Sequence, residues 1–144
     1  MLRLPSVARR DAVCRDEAAE LMHFVGVGKY VGAGADAMPY GALKRLEIAR
    51  ALAARPKLLL LDEPAAGLNP TETQEIDALI QKIGASGVTV VLVEHDMKLV
   101  MGISERILVL HYGRKLAEGT AGEVCANPDV IAAYLGVVAE GQAA

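Results

Sequence analysis

The sequence has few of the features that would place it in a membrane or hold it together by cross-links. Its apolar runs, such as residues 58–61 and 90–93, are far shorter than the roughly 20 residues that a membrane-spanning helix needs. Its two cysteines, Cys14 and Cys125, lie far apart and show no ligand spacing, which argues against a zinc site or a disulfide framework. We therefore expect no direct membrane insertion and no structural metal.

Charge of one sign is also scarce. The formal net charge is -3, and no run of like charges is present, so the chain lacks the basic field that a nucleic-acid partner would need. Residues 1–17 are partly basic, but they contain no apolar core followed by a small-residue cleavage site, so we expect no secretory signal. These absences predict a cytoplasmic protein that binds no nucleic acid.

The chain has ample apolar material for a buried core, with 53% hydrophobic residues among 144. Three segments have the composition or the periodicity of helices: residues 16–27, 42–54 and 71–83. The last shows the clearest helical spacing, and its apolar positions are Ile76, Leu79, Ile80 and Ile83. Two short helices are predicted near the end of the chain, one near Glu123 and one over residues 128–135.

Strand patterns alternate with these helices. Residues 57–61 form an apolar run, and residues 88–93 form an uninterrupted β-branched run, which is typical of a central parallel strand covered by helices on both sides. Residues 107–110 predict a third strand, followed by a hairpin turn at 111–114 and a return strand at 115–118. This order predicts an α/β fold with a parallel sheet, flanking helices, and a short C-terminal hairpin.

Two adjacent carboxylates, Asp62 and Glu63, end the first apolar strand. Ligand sites in open α/β sheets lie at the carboxyl ends of the strands, and successive side chains on an extended chain point in different directions. Asp62 can therefore face Mg²⁺, which keeps several waters and takes one or two carboxylates, while Glu63 polarises a water for phosphoryl transfer. Two solvated acids at a strand end remain the alternative at this point.

A histidine follows the second strand. His95 would lie at the same sheet edge as Glu63 if the two strands are neighbours, and it could then reach a γ-phosphate, although a lone histidine there is more often a surface residue or a cap. Between the strands, residues 66–70 predict a turn into the next helix, with Thr71 as a plausible cap.

Taken together, these motifs resemble those of ABC transporter ATP-binding subunits. The family's signature, LSGGQ followed by a helix, falls on residues 38–42 and 43–54. Walker B falls on residues 58–62, the catalytic glutamate on Glu63, the D-loop on 66–69 and the switch histidine on His95. The resemblance implies a partial P-loop NTPase domain of the ABC type. Residues 1–54 would be part of its helical subdomain, and residues 55–144 the C-terminal part of its α/β core.

The subgroup that the chain resembles most is that of branched-chain amino acid importers, whose signature often reads LPYGQ before RRLEIARAL and whose chains end with a segment similar to residues 127–136. The resemblance implies ATP and Mg²⁺ as cofactors, and it implies import of amino acids of the branched-chain class as the process that ATP hydrolysis drives. It also implies a second ATP-binding subunit and transmembrane permease subunits as partners, and a peripheral location at the inner face of the cell membrane. By resemblance, the catalytic residues are Glu63 and His95, and the cofactor contacts are Pro39, Tyr40, Gly41, Asp62 and Asn69, with Asp62 holding Mg²⁺ through water.

Two departures from the family pattern stand out. Ala42 occupies the place of the signature glutamine, and Pro39 that of its serine. No GxxxxGK[ST] loop is present, because the only Gly-Lys pair, at 28–29, is followed by Tyr30. The Q-loop and the adenine-stacking aromatic would lie upstream of Met1. We therefore expect this chain alone to form no complete ATP site and to be inactive.

Two other functions are compatible with parts of the pattern. A non-hydrolysing interaction module would keep the signature surface and modulate a full-length ATPase. The C-terminal lobe of a chromosome-maintenance ATPase would follow a long heptad helix, which residues 1–37 do not show. Whichever function applies, an unpaired sheet edge and an exposed apolar face predict association or aggregation of the isolated chain.

Overall fold

The computed structural model describes residues 5–135 and divides the chain into two compact units, Met1–Glu94 and His95–Ala144. The final residue of the segment predicted over 127–136 lies outside the described residues. The predicted boundary between residues 54 and 55 concerns subdomains of the whole family domain and stays a prediction. In chain order, the helices and strands are α1 (Pro5–Phe24), α2 (Tyr40–Leu52), β1 (Leu58–Asp62), α3 (Pro70–Ala85), β2 (Thr89–Val93), α4 (Met97–Ile103), β3 (Ile107–His111), β4 (Arg114–Gly119), α5 (Ala121–Ala126) and α6 (Pro128–Val130), with α6 continuing as a π-helical turn (Ile131–Leu135).

Helix α1 packs against α2 in the first unit. It extends further toward the N-terminus than the helix predicted over residues 16–27. It ends because Gly26 adopts a left-handed conformation, with φ of 78°. The N–H of Gly26 donates to the carbonyl of His23, and that of Val27 donates to Met22. This pair of bonds is the Schellman arrangement, which turns the chain away from the helix axis. Val25 and Val27 are then buried beside the helix end.

Helix α3 buries the apolar stripe that the sequence predicts, namely Ile76, Leu79, Ile80 and Ile83. Its N-cap is Asn69, whose side chain accepts hydrogen bonds from the N–H groups of Thr71 and Glu72, while Glu72 reaches back to the N–H of Asn69. The prediction of Thr71 as a cap was therefore wrong, because Pro70 already occupies the first helical position, which it favours.

Strands β1 and β2 pair in parallel, in a register that runs from Leu58 opposite Thr89 to Asp62 opposite Val93. The α/β fold and its parallel pairing are thus confirmed. The expectation of helices on both faces was wrong for the residues that the structure describes. One face carries buried Leu59, whereas the other presents exposed apolar side chains from both strands, namely Leu58, Leu60, Val91 and Val93.

The second unit is a β-hairpin with short helices. Strands β3 and β4 pair antiparallel, as predicted, through a turn at Tyr112 and Gly113, both with positive φ (47° and 74°). Two positive φ values match the twist of the hairpin strands. In the described part of the chain β3 pairs only with β4. The core of the unit consists of Ile107, Val109, Val124 and Val130.

Helix α4 was missed by the sequence-based prediction, although its start has a visible signal. Asp96 caps it by accepting hydrogen bonds from the N–H groups of Lys98 and Leu99.

Among residues 5–135, no helix combines the length and the apolar character that crossing a membrane would require.

Candidate functional site

The first part of the site is the carboxyl end of β1. Asp62 is the last residue of the strand, is exposed, and lies opposite Val93 in the parallel pair. The N–H of Glu63 extends the pairing by donating to the carbonyl of Val93 at 2.9 Å. The two predicted carboxylates therefore lie where the carboxyl ends of two neighbouring parallel strands meet, which is the usual place for a ligand site in such sheets.

Glu63 also carries an unusual backbone conformation. Its φ is 45°, in the left-handed region, which costs a residue with a side chain about 1–2 kcal/mol. The chain then turns sharply, since the N–H of Ala66 donates to the Glu63 carbonyl and Pro64 is buried. Strain of this kind concentrates at functional sites. The turn aims the Glu63 side chain away from the direction that an uninterrupted strand would give it.

Glu94 holds this turn in place, and the sequence-based reasoning gave it no role. Its Oε1 accepts a hydrogen bond from the N–H of Ala65 at 3.2 Å. The signal was present in the sequence, because an acidic residue that follows β2 directly lies next to the chain that leaves β1. Glu94 thus ties the end of β2 to the turn that carries Glu63.

His95 is the first residue of the second unit. It is exposed and lies directly before Asp96, the N-cap of α4. Its predicted contact with a γ-phosphate stays a prediction.

The second part of the site is the start of α2, where the signature residues lie. Pro39 is the N-cap, and its carbonyl accepts the first helical hydrogen bonds, from the N–H groups of Ala42 and Leu43. The N–H groups of Tyr40 and Gly41 precede this ladder, and proline offers no side-chain oxygen to cap them. Such first-turn amides are a ready binding site for a phosphate.

The third part is the turn between β1 and α3. Gly67 has a φ of 77°, and a Cβ atom there would lie 3.3 Å from Cε1 of Tyr40. The Tyr40 ring therefore lies against this turn, and Lys44 lies over the same ring, with Nζ 5.6 Å from its centroid. The structure brings the predicted signature residue Tyr40 together with the predicted D-loop.

Asn69 has a structural role as well as its predicted cofactor contact. Its Oδ1 accepts the N–H groups of Thr71 and Glu72, both at 3.0 Å. The Nδ2 group donates to none of the described residues, so it is the part of this side chain that can bind an outside acceptor.

The donor set fits Mg²⁺ better than a metal held by protein ligands alone. Within residues 5–135 no three His, Cys, Asp or Glu side chains lie close enough together to hold a metal ion. Asp62 borders a shallow cleft of about 220 Å³ between α2 and β1, which Lys44 and Glu47 also line. A single exposed carboxylate suits an ion that keeps water and phosphate oxygens as its other ligands.

Comparisons with known proteins show the family and the fold of the chain. A family model described as "ABC transporter" matches residues 4–66, and one described as "Branched-chain amino acid ATP-binding cassette transporter" matches residues 114–140. The crystal structure of the ADP conformation of MJ1267, an ATP-binding cassette of an ABC transporter, aligns with a TM-score of 0.76 and 28% identity over 84% of this chain and 49% of that one. The chain therefore has the fold of part of an ABC-type ATPase domain, and it belongs to the ABC transporter ATP-binding family.

Within this family the chain is similar to proteins of branched-chain amino acid transport. It is 47% identical to LivG of Escherichia coli, a high-affinity branched-chain amino acid transport ATP-binding protein, over 137 residues, which are 94% of this chain and 54% of LivG. It is 46% identical, over the same shares, to BraF of Pseudomonas aeruginosa, which bears the same description. The chain thus spans about half the length of these relatives. Nothing in these comparisons supports the alternative of a non-hydrolysing interaction module.

Proposed function

We propose that this chain supplies the signature and Walker B part of an ATP-binding subunit that couples ATP hydrolysis to the import of branched-chain amino acids. The observation that carries the proposal is the pair Asp62 and Glu63 at the carboxyl end of β1, with Glu63 in a left-handed conformation. The 47% identity to LivG supports the choice of substrate.

In this proposal the two carboxylates have separate roles. Asp62 holds Mg²⁺ through water, and the ion, when bound, neutralises charge on the phosphate oxygens. Glu63 orients and polarises the attacking water, and its turn is fixed by Pro64 and by the hydrogen bond from Ala65 to Glu94. His95 contacts the γ-phosphate. A rigid backbone around Glu63 matters because a positioning error of about 1 Å reduces the rate about a hundredfold.

Main-chain groups at the start of α2 bind the phosphates of the nucleotide that the P-loop of the second ATP-binding subunit holds. The N–H groups of Tyr40 and Gly41, next to Pro39, face the nucleotide, and the Asn69 amide donates from the neighbouring turn. The 144-residue sequence contains no GxxxxGK[ST] loop, so the complete ATP site requires that loop from elsewhere. A second ATP-binding subunit and transmembrane permease subunits complete the importer, at the inner face of the membrane.

A fusion protein tests the proposal. The segment of E. coli LivG that precedes its match to this chain is joined to the chain, and the rate of ATP hydrolysis is measured with Mg²⁺. We expect hydrolysis, and we expect Glu63→Gln to reduce kcat by about a hundredfold or more, the usual contribution of a general base. Glu20→Gln, which changes an exposed glutamate on α1, is the matched control and should leave the rate unchanged.

Two results would contradict the proposal. If the folded fusion hydrolyses ATP equally well with Glu63→Gln, the assignment of Glu63 as the catalytic base is wrong. If the fusion binds ATP and Mg²⁺ but does not hydrolyse the nucleotide, the chain lacks the catalytic half of the site.

A further inference from the structure

The N-terminal turns of α2 and α3 are joined through a single carboxylate. Glu72 Oε2 accepts the N–H of Asn69 at 3.1 Å. On its other side, a Cβ atom built on Gly41 would lie 2.5 Å from Glu72 Oε1. The same side chain therefore caps the turn before α3 and fills the space beside the signature glycine. Only glycine at position 41 leaves room for it.

Arg45, one turn further along α2, makes a second connection. Its NH1 group lies 2.8 Å from Glu75 Oε2 on α3, and its Nε donates to the carbonyl of Gly41 at 3.3 Å. The Arg45 side chain is only 18% exposed, and it passes near Gly26 at the end of α1, since a Cβ there would lie 3.5 Å from NH1. Residues 41 and 45 share one face of α2, and residues 72 and 75 share one face of α3.

We propose that Arg45 and Glu72 are positioning residues that hold the signature turn and the 66–69 turn together as one body. If the start of α2 shifts, it must disturb either Glu72, which accepts the N–H of Asn69, or Arg45, which pairs with Glu75. The inference concerns the same site as the proposed function, and it rests on that function for its catalytic consequence. A movement of the α2 start on phosphate binding at Tyr40 and Gly41 would reach Asn69 through the side chains of Arg45 and Glu72.

Amide hydrogen exchange on the 144-residue chain tests the connection without nucleotide. The N–H groups of Thr71 and Glu72 are bonded to Asn69 Oδ1, so their exchange rates report opening of the turn. Arg45 touches neither amide. We expect Arg45→Ala to increase both rates roughly tenfold, the effect of an ordinary coupling between contacting residues. The rates of the β1 and β2 amides should stay unchanged, which excludes global unfolding as the cause.

Matched variants separate positioning from general destabilisation. Arg50→Ala removes an exposed arginine in the last turn of α2 and should change the Thr71 and Glu72 rates less than about twofold. The exchanged pair Arg45→Glu with Glu75→Arg should restore part of the slow exchange, because it rebuilds the ion pair with reversed charges but not the hydrogen bond to the Gly41 carbonyl. If Arg45→Ala does not fold, Glu75→Gln weakens the same pair at an exposed position and should raise the two rates several-fold, within the usual range for such couplings.

Gly41→Ala approaches the connection from the signature side. The new methyl group would displace Glu72 Oε1, and the backbone N–H of Asn69 would lose its acceptor. We expect faster exchange of this backbone N–H in a chain that remains folded, because only the end of the flexible Glu72 side chain has to move. Unchanged exchange at Asn69, Thr71 and Glu72 in both Gly41→Ala and a folded Arg45 or Glu75 variant would overturn the proposal.

The fusion protein then distinguishes this proposal from the proposed function. If Arg45→Ala lowers kcat and the charge-exchanged pair restores it, the two turns act together in catalysis. If the exchange rates respond as expected but Glu63→Gln leaves hydrolysis unchanged, the connection stands and the catalytic assignment fails. If Glu63→Gln abolishes hydrolysis and the exchange rates do not respond, the catalytic assignment stands and the positioning role fails.

Discussion

The two faces of the β1–β2 sheet differ sharply, although one run of four leucines contributes to both. Leu59 is 5% exposed, whereas its neighbour Leu60 is 68% exposed. Val91, which lies opposite Leu60, is also exposed. The covered face stabilises the first unit, whereas the apolar side chains of the open face add little to its stability.

The comparison shows that hydrophobicity alone does not tell which face of a strand is covered. An uninterrupted apolar run is typical of a strand that is buried on both faces. Within the described residues, only one face of the β1–β2 sheet is covered. Asp62 shares the alternation of Leu58 and Leu60, so the carboxylate that we propose to hold Mg²⁺ belongs to the open face. The sheet edge that carries the proposed site and the open apolar face are therefore continuous.

The largest expected effect comes from truncating one leucine on each face. Leu59→Ala should lower the free energy of unfolding by about 3 kcal/mol, because it leaves a cavity in the core. Leu60→Ala should change it by less than about 0.5 kcal/mol, since little buried area is lost. Urea unfolding followed by circular dichroism measures both. Equal losses would show that the open face is covered in solution.

The open face should also drive self-association. We expect the chain to associate with rising concentration, and Leu60→Lys to weaken the association constant about tenfold, as expected for the loss of one buried leucine contact. Val13→Lys on α1 is the control, because Val13 is about as exposed as Leu58 but lies outside the sheet. Light scattering across a dilution series gives the constants. An equal effect of both lysines would point to general charge repulsion instead.

The covered face depends on α3, whose start is fixed by Asn69. Asn69→Ala should cost about 1 kcal/mol of unfolding free energy, because the N–H groups of Thr71 and Glu72 lose their acceptor. Thr71→Ala should cost only a few tenths of a kcal/mol, the usual effect of an exposed substitution. Thermal melts of the two variants decide between them. A larger loss of unfolding free energy for Thr71→Ala than for Asn69→Ala would show that Thr71 is the cap, as the sequence suggested.

Local patterns in the sequence were sufficient for most of the fold. The apolar stripe from Ile76 to Ile83 was sufficient to predict α3, and the β-branched run was sufficient to predict β2, since periodicity and β-propensity are local properties. Helix α4 and the early start of α1 were not predicted, because neither segment has strong apolar periodicity. The cap at Asn69 was missed because Asn-Pro-Thr offers two possible starts, and only the backbone shows that Pro70 is the first helical residue.

The positions of the candidate residues could be predicted from the sequence, whereas the contacts between them could not. Asp62 and Glu63 were placed correctly at the strand end because their neighbours in sequence define that end. The ion pair of Arg45 with Glu75 and the position of Glu72 beside Gly41 could not be foreseen, since each joins α2 to a segment that is distant in sequence, whereas the signal for Glu94 was present in the sequence. Such contacts depend on the tertiary fold.

The second sheet repeats the contrast between faces and adds an ionic component. In β3, Ile107 and Val109 are buried, whereas Leu108 and Leu110 are exposed. Glu118 on β4 lies between Arg106 and Lys115, and Arg106 NH2 approaches it to 2.6 Å. Hydrogen bonds from Arg106 and then Lys115 lower the pKa of Glu118 below its usual value, although the carboxylate faces solvent.

This lowered pKa predicts the smallest effect. Because the pKa of Glu118 is lower in the folded chain than in the unfolded one, its contribution to stability is present above the usual pKa of 4.5. It is lost as the pH falls from there through the pKa of the folded chain. An NMR titration of the Glu118 carboxyl carbon should give a midpoint below the usual glutamate value, and Arg106→Gln should raise that midpoint. An unshifted Glu118 in the unaltered chain would mean that solvent screening removes the ionic component, leaving the second sheet dependent on its buried face alone, as the first is.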